Sequence, residues 1–169
     1  MPVIERLTAD AALSRAQAAI GGRAQQLHVN LGHLELWCRP ADLVDVVTTL
    51  RDAEGLAFRF FTFLSAIDRS ELEEGGGLEV LIHLYSPEHA AHVNIHVPVD
   101  ADNPRCPTIS GLFAGALWHE RECHEMFGVV FEGHPKLVGL YLPEDFQGHP
   151  GLRSFKLPSR NLIKEWPGA

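Results

Sequence analysis

The chain has 169 residues, 46% of them apolar and 21% charged, a size and balance that suit one folded domain with its own core and do not suit a disordered or fibrous chain. A formal net charge of -8 excludes the clustered basic surface that nucleic-acid phosphates require. Three scattered cysteines, Cys38, Cys106 and Cys123, lack the C-x-x-C spacing of zinc or iron–sulfur ligand sets, and so sparse and odd a count fits a reducing compartment.

The first residues do not follow the charged-then-apolar order of a signal peptide. The longest apolar runs, such as 111–118, fall far short of the ~20 residues that span a bilayer. The expectation is a soluble, cytoplasmic-type protein that meets a membrane only through another polypeptide.

Thr8 or Asp10 can cap a helix that runs to about Ile20 and stops at Gly21-Gly22. Leu27, Val29 and Leu31 alternate with Gln26, His28 and Asn30, and Leu34, Leu36 and Cys38 continue the alternation beyond Gly32, which predicts a hairpin. Pro40 suits a first helical turn, and Leu43, Val44, Val46, Val47 and Leu50 form a helical stripe that ends before Gly55. The Phe-rich segment 57–68 reads as a buried strand, and 70–77 as an exposed loop. Residues 78–85 and 92–97 form a second hairpin, with Val93, Ile95 and Val97 facing the core and His92, Asn94 and His96 facing out. Residues 100–107 read as a Pro-containing loop. Ser110 can cap a helix that carries through Phe127, and Gly128 is a natural stop. The order predicts a two-layer α+β fold: helices on one face of a mixed, largely antiparallel sheet of about five strands over residues 1–128.

Beyond Gly128 the periodicity disappears. Residues 129–169 hold five prolines and five glycines, yet also Phe131, Leu137, Leu140, Tyr141, Leu142, Phe146, Phe155, Leu157, Leu162, Ile163 and Trp166, which a solvated tail would lack. Within this stretch one heptapeptide occurs twice: 131–137 and 146–152 both read Phe-x-Gly-His-Pro-x-Leu. Glycine permits φ > 0 there, and proline pushes the histidine before it out of the helical region and offers no N–H. Each copy therefore encodes a fixed bend with an apolar peg on either side that cannot pair as an ordinary strand. The expectation is an extended irregular C-terminal arm that buries its pegs partly on its own domain and partly on another chain.

The densest polar cluster is 118–128. On a helix, Phe113, Ala116, Leu117, Cys123 and Phe127 share a face, with Glu120 near its middle and His124 one turn on. A carboxylate there is costly unless paired. Glu120 is either a buried ion pair or cap that organises the arm, or a general acid or base. His119 and Cys123 have the i, i+4 spacing of zinc ligands on a helix, but no third or fourth ligand follows at a matching distance. Cys123 and His124 make a poor dyad, since neighbours on a helix point about 100° apart. His134 and His149 either cap backbone groups in fixed bends or serve as ligands and proton carriers. The 75–77 glycine triplet lacks the spacing of a phosphate loop. No catalytic, cofactor-binding or metal-ligating set is expected. A stand-alone metal-dependent hydrolase using His119, Cys123, His134 and His149 is the reading of another class.

Several strings together carry a family resemblance: Trp118-His119-Glu120-Arg121-Glu122 with Met126-Phe127-Gly128, Gly133-His134-Pro135, Leu142-Pro143-Glu144-Asp145-Phe146 and Gly148-His149-Pro150. They closely resemble the C subunit of the proton-pumping NADH–quinone oxidoreductase, respiratory complex I. Upstream, His83-Leu84-Tyr85-Ser86, Val97-Pro98-Val99 and Phe113-Ala114-Gly115-Ala116 extend the resemblance over roughly residues 57–160. Trp166-Pro167-Gly168 looks like the end of the short form of that protein. The resemblance implies a non-catalytic component of the hydrophilic peripheral arm, on the cytoplasmic side of the cell membrane. It implies packing against the quinone-site D subunit and neighbouring iron–sulfur subunits, with FMN, iron–sulfur clusters and quinone held by partners. The residues it marks as signature or partner interface are Glu120, Arg121, Glu122, Phe127, Gly128, Gly133, His134, Pro135, Pro143, Glu144, Asp145, Gly148, His149 and Pro150. The chain departs from the family pattern at Cys123-His124-Glu125, at Lys136-Leu137-Val138-Gly139, where Asp-Leu and two arginines are usual, and at Gly151, which looks inserted. The equivalent component of a membrane-bound [NiFe] hydrogenase or formate hydrogenlyase is the alternative within the superfamily.

Overall fold

The computed structural model describes residues 6–72 and 76–157. Helix α1 (Ala9–Ile20) starts where the Thr8 hydroxyl accepts the Ala11 N–H at 3.3 Å and ends at Gly21 with φ 60°. Strands β1 (Ala24–Asn30) and β2 (His33–Cys38) form the expected antiparallel hairpin. Its turn places both Leu31 (φ 50°) and Gly32 (φ 83°) in the left-handed region, the geometry of a two-residue type I′ loop. Leu31 therefore continues no strand face. It stands at the tip, 94% exposed, a correction to the alternation that placed it beside Leu27 and Val29.

A short turn at Pro40–Asp42 leads into helix α2 (Leu43–Asp52), which buries Leu43, Val46, Val47 and Leu50 and leaves Val44 at the exposed edge of the stripe. Strand β3 (Phe60–Asp68) begins later than the Phe-rich run suggested, and Phe60 is exposed. The reason is its place at the sheet edge. Phe58 enters the core just ahead of it, while Leu64 and Ala66 alone of the strand's side chains are fully buried. Strands β4 (Leu78–Ser86) and β5 (Ala91–Val99) complete a sheet of order β1-β2-β5-β4-β3. The β2/β5 pair is parallel and the others antiparallel, so the sheet is mixed and largely antiparallel as expected.

The register lines up one row of the core. Leu36 pairs with Ile95, Ile95 with Ile82 and Ile82 with Leu64, across four strands, each fully buried. Burial of such side chains stabilises the fold by about 1.5–3 kcal/mol apiece.

Two elements of the second half were not legible. Strand β6 (Arg105–Pro107) lies in the expected loop, and β7 (Val130–Glu132) pairs with it in parallel. Val129 and Phe131 are core residues, so the first phenylalanine of the repeated heptapeptide does pair as a strand, and its bend follows at Gly133 (φ 85°). Helix α3 (Ala116–Phe127) starts six residues after Ser110. The intervening segment is taken up by turns closed on Ile109 O and Phe113 O, and the Ser110 hydroxyl is engaged with that of Thr108 rather than capping a helix. Gly128, at φ 81°, ends α3 as expected. Among the described residues no helix is long and apolar enough to cross a membrane.

Candidate functional site: helix α3 and the strap across it

Glu120 is fully buried in α3. Its Oε1 accepts the Ile109 N–H at 2.8 Å and its Oε2 accepts the Thr108 hydroxyl. His134 comes within 4.0 Å, but its Nδ1 accepts the Lys136 N–H at 3.0 Å, so the ring proton sits on Nε2 and is donated to Leu117 O at 3.1 Å. Glu120 is thus a hydrogen-bonded brace for the turn before α3 and not half of a buried ion pair. Burial pushes its carboxyl above the ordinary range, against the opposing pull of Thr108, Ile109 and His134.

The next turn of α3 holds the chain that returns over it. Arg121 donates from Nε to Val138 O at 2.9 Å and from a terminal nitrogen to Gly139 O at 2.6 Å, and its guanidinium lies 5.2 Å from the Trp118 ring centre. One helical turn later, the Glu125 carboxylate accepts three consecutive amides, those of Leu140 (3.0 Å), Tyr141 (2.7 Å) and Leu142 (3.0 Å). A cation on carbonyls and an anion on amides, four residues apart, fix the polarity and register of the strap. Partial burial works against the charge of Glu125, but the three amides and Arg121 outweigh it and hold the carboxyl below the usual range.

The second bend seals the C-terminal end of α3. His149 donates from Nδ1 to Glu125 O at 2.9 Å and lies over Gly128, where a Cβ would meet the imidazole at 2.9 Å. Gly151 donates its N–H to Met126 O at 2.8 Å, and a Cβ there would meet Phe127 at 2.7 Å and Met126 O at 2.8 Å. The apparent insertion is therefore the residue at which the strap touches the helix backbone. Arg153 then ties the strap to the end of β3 and the loop after it: its N–H and Nε donate to Asp68 at 2.9 and 3.0 Å and its terminal nitrogen to Glu71 at 2.7 Å.

Of the marked residues, the structure gathers Glu120, Arg121, Phe127, Gly128, His134 and His149 at this junction. Glu122 is half-buried on α3, Gly133 and Gly148 (φ 89°) form the bends, and Pro150 is half-buried. Pro135, Pro143, Glu144 and Asp145 are exposed; Pro143 and Glu144 line a cavity with Glu125 and His149, and Pro135 lines one with Trp118, Arg121 and His134. Sequence reasoning missed Glu125, Gly151, Arg153 and Asp68. The i, i+4 spacing of Arg121 and Glu125 was a usable signal; the others depend on contacts far along the chain. The pegs Leu137 and Leu152 pack against the core, while Trp118 (60%), Tyr141 (63%) and Leu157 (86%) stay exposed. Leu162, Ile163 and Trp166 lie outside the described residues.

The candidate metal ligands of α3 and the bends do not converge. His119 Nδ1 is engaged with the Leu64 backbone, His124 donates to Val129 O, and Cys123 is buried. Burial raises all three thiols, Cys38 to about 12, with Cys106 and Cys123 also well above the ordinary range, so none is a ready nucleophile.

On the opposite face of the sheet, His92, Asn94 and His96 do point away from the core as read, but His96 is buried there. It lies 4.1 Å from the Trp37 ring and bridges Glu35 (2.7 Å) and Glu79 (2.9 Å); Arg69 also reaches Glu79 at 2.9 Å. Burial opposes a charge on His96, and the hydrogen bonds to Glu79 and Glu35 overcome it, raising its pKa.

Comparison with known proteins accords with this geometry. Residues 36–161 match the family described as respiratory-chain NADH dehydrogenase, 30 Kd subunit. The C subunit of the NADH-quinone oxidoreductase of Roseiflexus sp. (strain RS-1) is 41% identical over 119 residues, 70% of this chain and 67% of that protein. Its counterpart from Salinispora tropica is 33% identical over 158 residues, 94% of this chain and 63% of that protein. The chain therefore spans about two thirds of the length of these relatives. Among solved structures, a trypsin-resistant fragment of Nqo5 superposes with a TM-score of 0.57 at 25% identity, covering 76% of this chain and 98% of the fragment.

Proposed function

The chain belongs to the family of the 30 Kd subunit of respiratory-chain NADH dehydrogenase, and from that premise we propose that it is a non-catalytic scaffold in the peripheral arm of a proton-pumping NADH–quinone oxidoreductase. It fixes the quinone-site D subunit and the neighbouring iron–sulfur subunits relative to one another, on the cytoplasmic side of the membrane, which it reaches only through the complex. FMN, the iron–sulfur clusters and quinone belong to those partners. Electron transfer and quinone access tolerate little misplacement, so holding geometry is itself a contribution to the reaction.

The observation that carries this reading is the use made of the polar residues of α3. Glu120, Arg121 and Glu125 are spent on backbone groups of the turn before the helix and of the strap after it. The result is an ordered strap without regular structure that leaves Tyr141, Phe146 and Leu157 exposed, as Trp118 is on α3. Exposed aromatic side chains on a held backbone suit a partner surface better than a substrate. The names of the relatives favour this assembly over the equivalent component of a [NiFe] hydrogenase or formate hydrogenlyase.

The test is co-purification of the tagged chain with its partners. Removing residues 137–169, or replacing Trp118, Tyr141 and Phe146 together by serine, should abolish recovery of the quinone-site and iron–sulfur subunits while circular dichroism of the domain is retained. Undiminished assembly of both variants would refute the strap as a partner surface.

A further inference from the structure

The outer face of the sheet brings together three histidines that lie far apart in sequence. His33 opens β2, His83 lies within β4 and His92 within β5, and β5 runs between the other two strands. Each offers one ring nitrogen, and the three nitrogens lie within 4.8 Å of one another; among the described residues this is the one group of three or more His, Cys, Asp or Glu so gathered. We propose that His33, His83 and His92 form a binding site for a divalent transition-metal ion of the zinc class, with water in the fourth position.

The spacing fits the ion. His92 Nδ1 and His83 Nε2 stand 3.2 Å apart. Zinc–nitrogen bonds of about 2.0–2.1 Å in a tetrahedron place two ligand nitrogens about 3.3 Å apart. The rings of His33 and His92 are stacked at 4.6 Å and those of His83 and His92 at 5.3 Å, so coordination needs the rings to turn about χ2, a torsion with a broad well. Their Cα positions are fixed by three hydrogen-bonded strands, so binding does not have to order backbone.

The surroundings agree. Phe63 stacks on His83 at 5.7 Å and Tyr85 packs on His92 at 4.6 Å, shielding the site from one side. Imidazole ligands without carboxylate oxygens favour zinc, copper, nickel or cobalt over magnesium or calcium. Zinc is redox-inert, so the site carries no electrons, and three protein ligands from β2, β5 and β4 with water in the fourth position leave it an open site. Sequence spacing could not show it, because 33, 83 and 92 form no local motif.

The experiment is a zinc titration of the chelator-treated full chain by calorimetry, with cobalt(II) as a spectroscopic probe. One equivalent of zinc should bind, and cobalt should give the intense visible bands of a tetrahedral site. His33→Asn, His83→Asn and His92→Asn should each weaken binding at least about a hundredfold, more than changes to groups outside the ligand set do. His28→Asn, on the same face but stacked on Trp37, should leave it unchanged. Circular dichroism checks each fold, and His33→Asn, at a strand end, keeps the test valid should His83→Asn unfold. Substoichiometric binding, an octahedral cobalt spectrum, or equal weakening by His28→Asn would overturn the proposal.

Discussion

Replacing Glu125 by alanine tests whether the strap is held by the α3 carboxylate. The side chain accepts three backbone amides, from Leu140, Tyr141 and Leu142, at 2.7–3.0 Å. Hydrogen bonds to a charged group contribute about 1.5–3 kcal/mol net. Water can reach this site and re-solvate the freed amides, so about 1 kcal/mol each is the better figure, or roughly 3 kcal/mol in all. The loss falls on a local equilibrium, the lifting of the strap from α3, and not on global unfolding, because the sheet and its core take no part in it. At 1.4 kcal/mol per decade, that is about a hundredfold rise in the open population. Amide hydrogen exchange of the 138–143 peptide reads it directly, with β4 and β5 as internal standards. Acid gives a second arm to the test. Glu125 is held below the ordinary carboxylate range in the folded chain, so its contribution is fully present above the unfolded value and is lost as pH falls through the folded one. Protection factors for the segment should therefore collapse in acid in the wild type and vary little with pH in Glu125→Gln, whose amide keeps one acceptor. A change under threefold in Glu125→Ala at neutral pH would refute the clamp.

Glu120→Ala should cost about 3 kcal/mol in urea unfolding, since it strands the Ile109 N–H and removes the carboxylate partner of the Thr108 hydroxyl beside a new cavity; a loss under ~0.3 kcal/mol would contradict its burial. Glu120→Gln, which preserves volume and one acceptor, should cost less than about 1 kcal/mol in the same measurement. Because burial raises the folded carboxyl, the Glu120 contribution should be most favourable in acid and decline as pH rises through its folded value, a dependence absent from Glu120→Gln. Gly151→Ala puts a methyl against Phe127 and the Met126 carbonyl and should release the second bend at a cost of about 1–3 kcal/mol, read as faster trypsin cleavage at Arg153. Leu31→Asn converts the hairpin turn to Asn-Gly, relieves a leucine at φ 50° and should raise the urea midpoint by the equivalent of about 0.5–1 kcal/mol.

The fold was legible where one periodicity ran for several residues with a matching stop. Thr8 and Gly21 bound α1, Gly128 bounds α3, and the alternations of β2 and β5 give the core face without error. Failures fall where long-range partners decide. Strands β6 and β7 have three residues each and exist because Cys106 and Phe131 meet across the chain, which no local pattern encodes. The start of α3 escapes a local reading because Ser110, a good cap by type, finds Thr108 first. The buried state of His96 escapes it because alternation assigns a face and says nothing of what lies on it; Trp37, Glu35 and Glu79 arrive from two other strands.

The same reasoning explains why a cluster as polar as 118–128 need not be a reaction centre. Chemistry requires side chains with unused valence facing a space that a substrate can enter. Here much of that valence is spent on the main chain. His119, His124, His134 and His149 are each engaged with a main-chain group, Arg121 donates to carbonyls, and Glu120 and Glu125 accept amides. What this expenditure produces is a backbone of about twenty residues held in one path without helix or sheet, which hydrophobic burial alone does not specify, because apolar contacts are non-directional. Directional bonds from one helix impose the path, and the aromatic side chains left outside it acquire fixed positions. A surface so fixed loses little conformational entropy when a partner covers it, so its affinity follows from the order already imposed within the chain.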